Sequence, residues 1–249
     1  MLPTLQIGPL VIQTPGLLLL LGLWLGLSLA EKHVNKHAIA ANHIYSFTFL
    51  ALLTAVVAGR LLHVIRNWGV FSDSPASILS LNPGMLEPFG AILGFTIMLI
   101  VFTKRYRYDP WTLLDALAPI LAVLMIAVSL ANLASGKGYG YPTDLPWAVP
   151  LFGEARHPTQ IYEMLAAGIV LVVLWPGRRW VKSRPAGVYA LSLIAATASN
   201  RLIFEAFRAD SALTNDGIRS SQVVAWLVLA VALWLSLKIA RKDGQDIHR

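Results

Sequence analysis

Apolar residues run through this chain in seven long stretches, near 10–30, 45–66, 87–103, 112–134, 158–176, 186–207 and 221–240. Each approaches the ~20 residues with which a helix crosses the hydrocarbon core of a bilayer, and the basic residues fall between them. The pattern predicts an all-α fold, a polytopic bundle of seven transmembrane helices in one domain over residues 1–249. No internal repeat is visible, and the longest connection, about 135–157, is rich in Gly and Pro and reads as a structured loop. The first stretch resembles a secretory leader, with Ser28-Leu29-Ala30 as a cleavage site. Residues 1–14 hold no Lys or Arg, so it is expected to stay as a membrane helix.

Composition strengthens the membrane reading, because 56% of the residues are apolar and 13% charged, against roughly 25% charged in a soluble domain. With no cysteine, disulfides, thiolate metal sites and a cysteine nucleophile are excluded, and any thiol in the chemistry must come from a partner. A net charge of +7 is not gathered into a tail or an aromatic-basic stripe, which argues against a nucleic-acid partner. It serves topology instead. Thirteen of the 20 basic residues (Lys32, Lys36, Lys104, Arg105, Arg107, Arg178, Arg179, Lys182, Arg184, Lys238, Arg241, Lys242 and Arg249) fall on one set of connections and the tail. The positive-inside rule then puts the N-terminus outside and the C-terminus in the cytoplasm, as an odd number of spans requires.

An ionisable side chain within a bilayer must face a bundle interior, a wet cavity or a counter-charge. Arg60 and His63, Glu87, Asn132, the His157–Glu163 stretch, and Arg201 with Glu205 bring polar groups from five helices to the outer half. On the inner side Asp115 alone intrudes, close enough to the interface to be solvated. Arg156, Gln160 and Glu163 stand at i, i+4 and i+7, and Arg201, Glu205 and Arg208 repeat that spacing, so each trio is expected to form a polar stripe on one helix face. Intrahelical ion pairing is one reading of these stripes. The excess of Arg over acid supports another, an outward-facing site for an anionic phospholipid headgroup, because the guanidinium fork matches phosphate.

The run Arg156-His157-Pro158-Thr159-Gln160-Ile161-Tyr162-Glu163 resembles the Arg-His-Pro-Ser/Thr-Gln-Leu/Ile-Tyr-Glu signature of bacterial prolipoprotein diacylglyceryl transferases. The likeness continues upstream through Asn132, Gly136, Gly140 and Pro142-Thr143-Asp144-Leu145-Pro146-Trp147. It extends downstream through Arg201, Glu205 and Arg208, similar to the family's Arg-x-x-x-Glu-x-x-Arg, and includes Gly59-Arg60. The resemblance implies transfer of the diacylglyceryl group of phosphatidylglycerol to the lipobox cysteine of a preprolipoprotein, with glycerol 1-phosphate leaving. It also implies a multi-pass protein of the bacterial inner membrane, a monomer with membrane lipid as its surroundings and without cofactor or metal. Arg201, Glu205 and His157 would be catalytic, and Arg60, Asn132, Gly140, Arg156, Gln160, Tyr162, Glu163 and Arg208 would bind substrate. Histidine titrates near neutrality, so His157 is either the thiol's base or, standing before Pro158, a cap on the following helix.

Three positions depart from the family pattern. Pro88 falls where the resemblance places a His, Ser129 where it places an Arg, and Thr14-Pro15-Gly16 lacks a Tyr at Pro15. Either the chemistry is rebuilt around His63, Glu87 and His157, or the scaffold binds phosphatidylglycerol or a lipoprotein precursor without catalysis. Other chemistries find no motif: Gly136-Lys137-Gly138-Tyr139-Gly140 has no strand before it to make a phosphate loop, and His33, His37 and His43 lie on a basic connection where solvation is expected.

Overall fold

The structure, a computed structural model, describes residues 4–8, 10–34, 39–73, 77–78, 86–178, 184–213 and 217–247. Lys36, His37, Arg179, Lys182 and Arg249 lie outside them. A hairpin of β1 (Thr4–Ile7) and β2 (Leu10–Gln13) leads into α1 (Thr14–Val34), followed by α2 (Ala41–Arg66), the short α3 (Trp68–Asp73), α4 (Pro88–Tyr106) and α5 (Pro110–Ser135). A second hairpin, β3 (Val149–Leu151) with β4 (Glu154–Arg156), precedes α6 (Thr159–Val173) and α7 (Val188–Phe204). A 3-10 turn over Glu205–Phe207 and α8 (Ser220–Ile247) complete the order.

Five of these helices, α1, α2, α4, α5 and α8, are long and apolar enough to cross a membrane. Among the described residues the other two stretches form shorter helices, α6 with 15 residues and α7 with 17. α6 is shortened at its start, where His157 and Pro158 precede its first turn, and α7 at its end, where Glu205 begins a tighter turn. Phe49, Ile65, Ile92, Trp24 and Trp226 present their large side chains outward. Apolar surface on that scale is untenable in water and suits lipid, so the chain is a polytopic α-helical membrane protein.

Between helices in lipid the attraction comes from close backbone packing, so small residues form the seams. Gly22 and Gly26 of α1 lie directly on Ala127 and Ile120 of α5, where added Cβ atoms would collide. Gly90 and Gly94 of α4 do the same against Ala58 and Thr54 of α2, and Gly59 of α2 packs tightly on the Glu87 carbonyl that precedes α4. α5 is the central element, packing against α1 on one side and α6 and α7 on the other, and it keeps its helix through Pro119.

Asp115, expected to be solvated, is buried at 5% exposure and caps a different helix. Its Oδ2 accepts the Gly187 N–H and its Oδ1 the Ala190 N–H, both at 2.8 Å, satisfying orphan donors at the start of α7. Asp115→Ala strands both and is expected to cost about 2–3 kcal/mol. The check is a melting curve in detergent, and a melting temperature equal to that of the parent protein would contradict this cap.

Candidate functional site

The densest polar cluster gathers where α6, α7 and the turn after it meet. Arg201 Nη2 lies 2.9 Å from Glu205 Oε2, and Arg201 Nη1 lies 3.8 Å from Glu163 Oε1. From the other side Arg208 Nη1 is 3.6 Å from that same Glu163 oxygen, and Arg208 Nε is 3.8 Å from Glu205 Oε2. Glu205, only 1% exposed, also accepts from Ser221 Oγ, and its backbone carbonyl takes a guanidinium N–H of Arg219. The two expected helical stripes are interrupted: Arg156 belongs to β4, while Arg208 lies beyond the 3-10 turn in extended backbone. Glu163 and Arg208 nevertheless meet, because the chain folds back after the turn.

Asp210, which the sequence did not single out, explains how Arg208 is held. Its Oδ1 and Oδ2 accept from Arg208 Nε at 3.0 Å and Nη2 at 3.2 Å, and Oδ2 also takes the Gly138 N–H at 2.6 Å. Burial works against the Arg208 charge, but the Asp210 hydrogen bonds and the carboxylates of Asp210, Glu163 and Glu205 outweigh it and hold its pKa above the ordinary value. The expected surplus of guanidinium groups is thus largely neutralised locally, with Arg156 on Glu154 and Arg66 on Glu87 at 3.0 Å.

Arg201 is different, because 38% of its side chain stays exposed and it lines a cavity of about 340 Å³ with Ser129, Asn132, Glu163, Thr197 and Asn200. Asn200 Nδ2 donates to Glu163 O at 3.1 Å, while the buried Asn200 Oδ1 accepts no hydrogen bond and Glu163 Oε1 stands between the guanidinium groups of Arg201 and Arg208. The cavity therefore offers a cation beside an open amide acceptor, which suits an anion that carries a hydroxyl donor. Leu121 and Leu124 are shared with an apolar cavity of about 300 Å³ walled mainly by α2 and α5, with Leu23 of α1, Phe95 of α4 and Ala190 and Ile194 of α7, where the buried Thr48 Oγ1 also has no partner. Ser129 lines the polar cavity but turns its hydroxyl to Met125 O at 3.1 Å, so no charge stands there.

The loop after α5 is stitched against the segment after α7. Gly140 N donates to His157 O at 3.1 Å, Ala209 N to Tyr139 O at 2.9 Å, and Tyr141 N to Phe207 O at 3.0 Å. A Cβ on Gly140 would come within 2.5 Å of both His157 Cβ and His157 O, so only glycine fits this crossing. Thr159 Oγ1 donates to Gly138 O and Gln160 Nε2 to Lys137 O at 2.9 Å, fixing the first turn of α6 to the same loop.

His157 does not cap α6: the N-cap is Pro158, without a side-chain bond, and the imidazole turns elsewhere. Its Nδ1 lies 3.3 Å from Tyr162 Oη, which also accepts from Trp147 Nε1 at 2.8 Å. The imidazole lines a second cavity, shared with Arg156 and Gln160, elsewhere around α5 from the Arg201 cavity. Arg60 is engaged on the α2 side, its Nε donating to Ile78 O at 3.0 Å and its guanidinium standing 5.1 Å over Phe71. Arg201 and Glu205 meet each other, Glu163 and Arg208. His63 lies 3.9 Å from Glu87, and Pro88 occupies the first position of α4.

The sequence model of the prolipoprotein diacylglyceryl transferase family matches residues 3–238. A relative from Synechococcus elongatus, named phosphatidylglycerol–prolipoprotein diacylglyceryl transferase, is 32% identical over 243 residues, covering 92% of this chain and 84% of its own. Proteins of the same name from Streptococcus pyogenes and Thermosynechococcus vestitus are 30% and 27% identical, covering 98% and 93% of this chain and 97% and 90% of theirs.

Proposed function

The chain belongs to the prolipoprotein diacylglyceryl transferase family, and we propose that it moves the diacylglyceryl group of phosphatidylglycerol onto the cysteine thiol of a preprolipoprotein. The observation that carries this reading is the cavity in which Arg201 stands beside the open acceptor oxygen of Asn200. Arg201 suits the phosphate, Asn200 Oδ1 suits a glycerol hydroxyl of the headgroup, and the neighbouring apolar cavity, which shares Leu121 and Leu124, suits an acyl chain. The thiolate sulfur attacks the glyceryl carbon that carries the phosphate oxygen. A carbon–sulfur bond forms as that carbon–oxygen bond breaks, and glycerol 1-phosphate leaves with the electron pair. The thiol proton passes to His157 Nε2, which is free to accept it in the tautomer whose Nδ1–H faces Tyr162 Oη.

In this reading Arg201 stabilises the charge that develops on the leaving phosphate, and Glu205 holds the guanidinium in place through their 2.9 Å contact. Arg208 and Glu163 position the pair, while Asn132 lines the headgroup cavity. Gly140, Tyr162, Gln160 and Arg156 shape the His157 side, and Arg60 steadies the segment at 77–78. The protein acts as a monomer of one transmembrane unit in the bacterial inner membrane, without cofactor. α6 and α7 complete seven crossings, with the N-terminus outside and the C-terminus in the cytoplasm.

Purified protein incubated with phosphatidylglycerol and a cysteine-containing lipobox peptide is expected to add a diacylglyceryl mass to the cysteine. Retention of phosphatidylglycerol without that mass would replace the enzyme by a binding protein on the same scaffold, a reading favoured by the uncharged Ser129. Orientation has its own test, since the chain contains no cysteine of its own. A single cysteine introduced between 135 and 157 should react with an impermeant reagent in intact cells, and one between 177 and 185 should not. The reverse pattern would invert the topology.

A further inference from the structure

The cavity beside His157 is a separate site with a chemistry of its own. It encloses about 370 Å³ between the β3–β4 hairpin and α1 and α5, with apolar walls from Leu18, Leu130, Leu133, Val149 and Leu151. Two polar atoms of its lining are buried without a hydrogen-bond partner, Arg156 Nε and Thr14 Oγ1. The other donors of Arg156 are engaged: Nη1 reaches Gly140 O at 3.3 Å and Nη2 is bound to the Glu154 carboxylate. Gln160 is similarly occupied by Lys137 O.

What remains without any partner is the Nε–H of a guanidinium whose charge is already offset by Glu154, next to a hydroxyl and an apolar recess. That combination calls for a neutral acceptor oxygen flanked by an apolar group. A phosphate would bring in a charge that no further Lys or Arg among the cavity's lining compensates. We propose that this cavity binds the acceptor polypeptide, taking one apolar side chain close to the reacting cysteine while Arg156 Nε–H and Thr14 Oγ1 receive the neighbouring backbone.

This assignment rests on the transfer reaction proposed above, which needs a place for its second substrate. The donor lipid is accounted for elsewhere around α5: Ser129 and Asn132 face the Arg201 cavity, while Leu130, Leu133 and Ala134 face this one. The two cavities approach each other one helical turn apart on α6, at Glu163 and Gln160, and it is there that the thiol and the glyceryl carbon would meet. One wall is a hairpin in the loop that joins α5 to α6, outside both helices, where an extended peptide can approach. His157, the proposed acceptor of the thiol proton, lines the same space.

Ala134→Phe fills the recess, and in a transfer assay it is expected to raise KM for a cysteine-containing lipobox peptide about tenfold or more, leaving KM for phosphatidylglycerol within about twofold. Thr14→Val, nearly isosteric, should raise the peptide KM several-fold, and it carries the test if the larger substitution fails to fold. Fluorescence anisotropy of the same peptide with Ser in place of Cys, titrated with the protein in nanodiscs, reports binding without chemistry. Wild-type protein that binds this peptide more tightly than both variants but transfers nothing supports the site while overturning the transfer reading. If folded variants transfer with the peptide KM unchanged, or with a raised KM for phosphatidylglycerol alone, the proposal is wrong, the latter result assigning the recess to an acyl chain.

Discussion

Replacing His157 by alanine is expected to slow transfer by on the order of 10²–10⁴, the contribution of a positioned general base. The backbone at this residue is held independently of the ring, with His157 N donating to Tyr141 O at 3.0 Å and His157 O accepting from Gly140. The ring gives no cap to α6, so its removal does not fray the helix. The loss should fall on kcat, with KM for phosphatidylglycerol little changed, because His157 lines the cavity that begins one turn along α6 from the Arg201 cavity and is not itself among the residues around Arg201. Chemical rescue supplies the independent readout: added imidazole should restore part of the rate to the variant and leave the parent protein unaffected. A loss below tenfold, with no rescue, would reduce His157 to its packing against Phe207.

Arg201→Ala is expected to cost on the order of 10²–10³ in rate, the scale for removing one preorganised donor from a developing anion. Its side chain reaches the cavity while its partner Glu205 is almost completely buried, an arrangement that fixes the guanidinium and leaves one face for substrate. In the variant Glu205 still has Ser221 and Arg208, so the fold should survive. Arg201→Lys restores the charge without the planar fork and should recover only part of the rate. A rate within fivefold of the parent protein for Arg201→Ala, with unchanged lipid retention, would remove the phosphate from this cavity.

The chain's membrane character and most of its helices were legible, because apolar stretches near 20 residues have few alternatives and the basic residues punctuate them. The Arg201–Glu205 pair was legible for the same local reason, since four residues make one helical turn. What eluded the sequence was set by long-range geometry. Asp115 looks like an interfacial acid until α7 is seen to begin directly over it, 72 residues away in sequence from Gly187. Asp210 stands beside Arg208 in a polar stretch, and only the approach of Gly138 shows that its carboxylate joins two segments. Arg156 fits a helical spacing with Gln160 and Glu163, but the Pro158 that follows it disfavours helix there, and the residue ends a strand. Excess positive charge pointed to an anionic ligand but not to the residue that meets it, because counting residues does not reveal which acid each guanidinium finds.

The seam between α1 and α5 also bears on how the protein is made. α2 meets α4, and α7 meets α8, soon after each pair is synthesised. The surface on which Gly26 rests, at Ile120, lies 94 positions further along the chain. At about 5–20 residues per second, α1 waits roughly 5–20 s in the bilayer with its glycine face uncovered before α5 emerges from the ribosome. During that interval the bare face can pair with another nascent helix, and it is there that quality control has its opportunity. Bulkier residues at Gly22 or Gly26 should therefore lower the yield of inserted protein more than they lower the melting temperature of the molecules that complete assembly.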